Sequence, residues 1–108
     1  MAPPEMADEQ RAVALAKAHA ARRVRVSVKR RLRDGSVTVE QVLAEAATDD
    51  VVGRMRVSEV IEALPGIGKV GVGQIMTELE IAPTRRLRGL GDRQRAALLA
   101  KFAAKSSD

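Results

Sequence analysis

Cysteine, tryptophan and tyrosine are absent from this chain, and phenylalanine and histidine occur once each, as Phe102 and His19. That excludes thiol chemistry, a disulfide framework and any ordinary zinc site. Without aromatic platforms, the stacking of unpaired bases that serves single-stranded nucleic-acid recognition is nearly excluded as well. The interior must be assembled from Val, Leu, Ile, Ala and Met. No apolar run approaches the ~20 residues that span a bilayer, and Met1-Ala2-Pro3-Pro4-Glu5 lacks the charged and apolar regions of a secretory signal, so a cytoplasmic location is expected.

What the chain has is positive charge, unevenly placed. Nineteen Lys and Arg against fourteen Asp and Glu give a formal net charge of +5 over 108 residues. Residues 1–34 carry nine basic and four acidic groups, residues 35–64 two and six, and residues 65–108 eight and four. An acidic middle between two basic blocks favours an anionic polymer touched from both ends of the sequence.

The reading is all-α: a long N-terminal helix or arm over residues 1–34, then a compact helical domain over residues 35–108. From Met6 to about Arg33 there is no Gly or Pro and the residues are strong helix formers. Val24-Arg25-Val26-Ser27-Val28-Lys29 alternates as a strand would, but its flanks are helical and a lone strand would lack a partner. Ala16, Ala20, Val24, Val28 and Leu32 fall four apart, so only the valine-rich C-terminal half offers much to a core. Asp34-Gly35-Ser36 stops this helix. Thr38 with Gln41 fits a capping box for a helix to about Ala47, and Thr48-Asp49-Asp50 breaks the chain again.

Val57 to Leu64 predicts a short helix with Val57, Val60, Ile61 and Leu64 inward, stopped by Pro65-Gly66. Lys69 to about Glu80 follows, with Val72, Ile75, Met76 and Leu79 inward. Thr84 to Leu87 is expected to make one helical turn, Gly89-Leu90-Gly91 to reverse the chain, and Asp92 to Ala104 to form a last helix anchored by Leu98 and Phe102.

Two glycine-bearing turns carry the chemistry. In Pro65-Gly66-Ile67-Gly68-Lys69, glycines let backbone N–H groups approach a phosphate, and the following helix offers its partly positive N-terminus to the same anion. A helix stop followed by a helix start would use the same residues, and the loop lacks the length and Ser/Thr of a nucleotide-hydrolysing phosphate loop. In Thr84-Arg85-Arg86-Leu87-Arg88, Leu87 is expected inward and the guanidiniums outward, where their forks suit phosphate oxygens. Thr84 can cap the turn or give its hydroxyl to phosphate. Arg22, Arg23, Arg54, Arg56 and Ser58 are candidates for a secondary contact. Arg22, Arg23, Arg25, Lys29, Arg30, Arg31 and Arg33 are spread around the first helix, as either a solvated surface or a looser contact.

Helix, Pro-Gly-Ile-Gly-Lys turn, helix, double turn and Arg-Leu-Arg-Gly-Leu before a last helix resemble the helix-two-turns-helix module. That module, here about residues 57–104, is shared by formamidopyrimidine-type DNA glycosylases and a small-subunit ribosomal protein. From Met1 to Phe102 the chain resembles the actinobacterial integration host factors, most specifically in the run from Gln74 through Ile81-Ala82-Pro83-Thr84-Arg85-Arg86-Leu87-Arg88-Gly89-Leu90-Gly91 to Arg95. The resemblance implies a monomeric, non-catalytic, nucleoid-associated protein without cofactor or metal, unlike the β-armed heterodimer of the same name. It implies binding to double-stranded DNA with little sequence preference, DNA bending or altered topology, and support for site-specific recombination beside a phage integrase. It places the phosphate grip on Pro65, Gly66, Gly68, Lys69, Thr84, Arg85, Arg86 and Arg88. Gly71 and Gly73 depart from what a helix prefers, at a cost of roughly 1 kcal/mol each relative to Ala.

Three other readings are open to test. A ribosomal-type RNA binder could use the same module, although such proteins usually add a long basic tail and this chain reads Ala103-Ala104-Lys105-Ser106-Ser107-Asp108. The acidic segment from Glu40 to Glu62 could dock a protein. Glycosylase chemistry is disfavoured, because Pro4-Glu5 is not at the terminus and there is neither a zinc finger nor room for a catalytic domain.

Overall fold

A rod of 31 residues, α1 (Pro4–Asp34), runs out from a small helical body and makes the molecule 59 Å long and 27 × 26 Å across. The computed structural model describes the backbone of residues 4–106 and the side chains of residues 8–103. The expectations about Met1, Ala2 and Pro3, the side chains of Pro4 and Glu5, and the terminal Ser107-Asp108 lie outside the described residues. Side chains 8–20 are all exposed, whereas Val28 and Leu32 are fully covered. The alternating 24–29 segment is helical, because Val24, Val28 and Leu32 then share the face that packs on the body.

Gly35, at φ +81°, reverses the chain, and Ser36 N–H bonds Arg31 O at 2.9 Å. The body then follows as α2 (Val39–Thr48), α3 (Asp50–Gly53), α4 (Val57–Ala63), α5 (Gly68–Glu78), a 3-10 turn (Leu87–Gly89) and α6 (Asp92–Ser106). The expected capping box is present: Gln41 N–H donates to Thr38 Oγ1 at 3.1 Å, and Thr38 N–H donates to Gln41 Oε1 at 2.9 Å. Such a cap contributes about 0.5–2 kcal/mol.

Three sequence expectations are corrected. The break at Thr48-Asp49-Asp50 is also a start, because Asp49 Oδ1 accepts from Val51 N–H at 2.9 Å and Val52 N–H at 3.1 Å and thereby nucleates α3. The helical turn expected over Thr84 to Leu87 lies three residues later, because Arg86 is drawn into an extended conformation. The fifth helix stops at Glu78. Leu64, Ile75 and Leu79 point inward as expected, half-buried and packed against the core.

The core joins all layers: Val28 and Leu32 from α1, Val42 and Leu43 from α2, Val52 from α3, Val60 and Ile61 from α4, Met76 from α5, and Leu98 and Phe102 from α6. Helix α1 packs on α3 and α4, and α4 packs on α5. At α5's end, Glu80 takes φ +56° so that Ile81 N–H reaches Met76 O at 2.9 Å and Glu80 N–H reaches Thr77 O at 3.1 Å. These paired bonds, with Ile81 and Met76 both buried in the core, are a Schellman stop with glutamate where glycine is usual.

Candidate nucleic-acid interface

Two short extended segments are stitched side by side. Val57 N–H donates to Arg85 O at 3.0 Å and Leu87 N–H donates to Met55 O at 2.9 Å, so that Arg56 and Arg86 form an isolated antiparallel bridge. Successive side chains of an extended backbone point to opposite sides. Met55, Val57 and Leu87 therefore enter the core, at 1%, 0% and 3% exposure, and Arg56 and Arg86 face solvent, with Arg54 and Arg88 exposed beside them. The seam turns Arg-Met-Arg-Val and Arg-Arg-Leu-Arg into one cationic surface.

Each guanidinium on the 84–89 segment is oriented by one contact. Arg85 Nη1 donates to Gly89 O at 3.0 Å, Arg86 Nη1 to Arg54 O, and Arg88 Nη2 to Asp50 Oδ1. A guanidinium has five N–H donors, so these contacts leave a fork on every arginine for an anion. Asp50 also faces Arg54 Nη2 at 3.8 Å. The hydrogen bond from Arg88, then the charges of Arg88 and Arg54, hold the Asp50 carboxyl below its ordinary value of 3.8. Arg54, Thr84, Arg85, Arg86 and Arg88 line a common cleft of about 490 Å³. The Thr84 hydroxyl caps nothing, because the 3-10 turn starts at Leu87, and it bonds to none of the described residues.

The Pro65 turn lies apart from this cleft. Pro65 and Ile67 line an apolar hollow with Val37 and Phe102 instead. Gly66 at φ +80° and Gly68 at φ +68° take conformations that side chains resist, and Ile67 fixes the turn by packing over Gly71, where an added Cβ would stand 3.0 Å from Ile67 Cγ2. Gly71 thus lies in close contact with the Ile67 side chain, whereas Gly73 meets open space. Pro65, Gly66, Gly68 and Lys69 are exposed at the N-terminus of α5. A lysine there opposes the helix dipole, a tension that a bound anion relieves. The structure therefore divides the eight expected residues into a helix-terminal turn and an arginine seam, and joins Arg54 and Arg56 to the seam. Ser58 is half-buried on α4, and Arg22 and Arg23 are exposed on α1.

No group of three or more His, Cys, Asp or Glu among the described residues could hold a metal ion. No helix among them is long and apolar enough to cross a membrane.

The S13-like H2TH domain family matches residues 32–102. Over 102 residues the chain is 64% identical to the integration host factor of Mycolicibacterium smegmatis, spanning 94% of this chain and 97% of that protein. Against the integration host factor of Streptomyces coelicolor the identity is 47%, over 99% of this chain and 100% of that one. The chain belongs to the integration host factor family. A solved structure, that of sIHF bound to an 8-base-pair palindromic DNA, is similar in fold, with a TM-score of 0.79 and 46% identity over 81% of this chain and 98% of that one.

Three residues that organise the seam were not marked as site residues by the sequence pattern. Asp50 pins Arg88, and its i,i+4 spacing to Arg54 was a legible signal. Gly53 is buried with its Cα facing Ala46 O and the Arg88 guanidinium, so that an added Cβ would stand 2.9 Å from the first and 3.1 Å from Arg88 Nε. Glu59 Oε2 accepts from Arg56 N–H at 3.1 Å and starts α4 where the bridge ends. The Gly53 contacts are long-range, and nothing in the local pattern marks them.

Proposed function

We propose that this member of the integration host factor family is a non-catalytic binder of double-stranded DNA that grips the phosphate backbone with little sequence preference. The observation that carries the reading is the 55–57/85–87 seam, which gathers Arg54, Arg56, Arg86 and Arg88 on one solvent-facing edge, with no aromatic among them. The DNA-bound state of the similar sIHF structure supports the same partner. Lys69 and the Gly66–Gly68 backbone at the start of α5 would take a further phosphate, and contacts at two separated places give a monomer leverage to bend the duplex or shift its topology. The family name supports a place on the nucleoid and a role beside a phage integrase in site-specific recombination.

If four to five phosphates are engaged, log K against log salt should fall with a slope of about −4 on duplex DNA of any sequence. Arg85→Ala and Arg86→Ala should each lessen that slope by about 1 and weaken all sequences alike. A salt-independent affinity, or equal competition by structured RNA, overturns the reading.

A further inference from the structure

We infer that Arg25 of α1 completes a phosphate seat with Arg54, Arg56 and Arg86, which makes the long helix part of the same DNA contact as the arginine seam. This rests on the DNA-binding reading and deepens it by naming where α1 engages the duplex and through which residue.

Between α1 and the α3–α4 junction lies a cleft of about 430 Å³ walled by these four arginines, with Ala21 and Val51 completing its floor. Its one carboxylate, Glu59, is already engaged through both oxygens: Oε2 accepts from Arg56 N–H at 3.1 Å and Oε1 from Lys29 Nζ at 3.5 Å. The nearby Asp50 is shared between Arg88 and Arg54. Arg86 leans on Arg54 O, while the guanidiniums of Arg25 and Arg56 have no ion pair with any described residue. Like charges gathered in a concave site raise the local potential, and an anion with several acceptor oxygens lowers it. Phosphate oxygens match the forked donors on offer.

The register of α1 delivers Arg25 to this place. Ala21, Arg25, Val28 and Leu32 follow one another by four, three and four residues and so lie on one helix face. Because Val28 and Leu32 are buried at 0% and 1% exposure, that face is locked against the body and the half-buried Arg25 is held over the cleft. Arg23, two residues earlier, is turned about 160° away. Arg54 and Arg86 wall both this cleft and the one beside Arg85 and Arg88, so phosphates in the two would belong to a continuous tract.

The test measures binding of the full chain to a random-sequence duplex over a salt series, with Arg25→Ala, Arg25→Lys, Arg11→Ala and Arg85→Ala, melting each variant to confirm folding. Arg25→Ala should weaken binding about threefold to tenfold and lessen the salt slope by about 0.9, the share of a single phosphate. Arg25→Lys should keep most of both, and Arg11→Ala, which removes the same charge from the exposed outer part of α1, should resemble the parent. Parental binding by Arg25→Ala alongside a weakened Arg85→Ala overturns the seat and leaves the DNA reading standing. If Arg85→Ala is silent too, the DNA reading itself fails. The Arg25 Nε resonance should move on adding duplex. If it instead saturates with inorganic phosphate and ignores DNA, the cleft takes a free phosphate compound and its assignment to the duplex is overturned.

Discussion

Arg88 shows how closely an exposed cation can be controlled by its neighbours. Its guanidinium lies over Gly53, where no side chain intervenes, and is held by Asp50. Since Arg88 and Arg54 hold the folded Asp50 carboxyl below 3.8, what this ion pair contributes is present above the ordinary carboxylate value and is lost as pH falls through the depressed folded one. An NMR titration of the Asp50 carboxyl should give a midpoint below 3.8 that rises in Arg88→Ala, and an unchanged midpoint would show that Arg88 is not the cause. Gly53→Ala should destabilise the fold by about 1–3 kcal/mol, because the new methyl meets the backbone at Ala46 O rather than a yielding side chain. Denaturant melts would reveal this, and a neutral substitution would mean that the α2–α3 packing has slack.

The elements differ in how well their ends obey local rules. Helix α1 closes on Gly35, which takes a positive φ without strain, while α5 closes on Glu80 in the same left-handed region. Glutamate there costs roughly 1–2 kcal/mol, part of which glycine would return through its own unfolded-state entropy. Glu80→Gly should therefore raise stability by about 0.5–1 kcal/mol in thermal or denaturant melts. A decrease would mean that Gln94 Nε2, which donates to Glu80 O at 3.0 Å, depends on the glutamate conformation.

At the scale of the molecule, the body and the rod are stabilised differently. The Cα radius of gyration, 16.7 Å, exceeds the ~13 Å expected of a compact chain of this length. The excess is α1, whose residues 8–20 cover nothing, and an isolated helix of that length is marginal in water. Amide hydrogen exchange should be fast through residues 8–20 and should slow to the global unfolding limit near Val28 and Leu32. Uniform protection along α1 would show that something covers the rod in solution.

Local physics alone determined most of the elements. Caps at Thr38, the stop at Gly35, the Pro65-Gly66 turn and the apolar spacing of Val57, Val60 and Ile61 depend on neighbours three or four residues away, within the reach of sequence patterns. The inward Leu87 and the outward arginines beside it were legible for the same reason, as was the resemblance to the integration host factor family. Only the tertiary structure decided which arginines act together. Met55 O and Arg85 O accept hydrogen bonds from residues about thirty positions away, and those bonds drew Arg86 out of the expected helical turn and aligned it with Arg56. Long-range pairing of backbone groups leaves no periodic trace in a sequence, so the seam, the seat under Arg88 and the approach of Arg25 emerged only once the chain was folded.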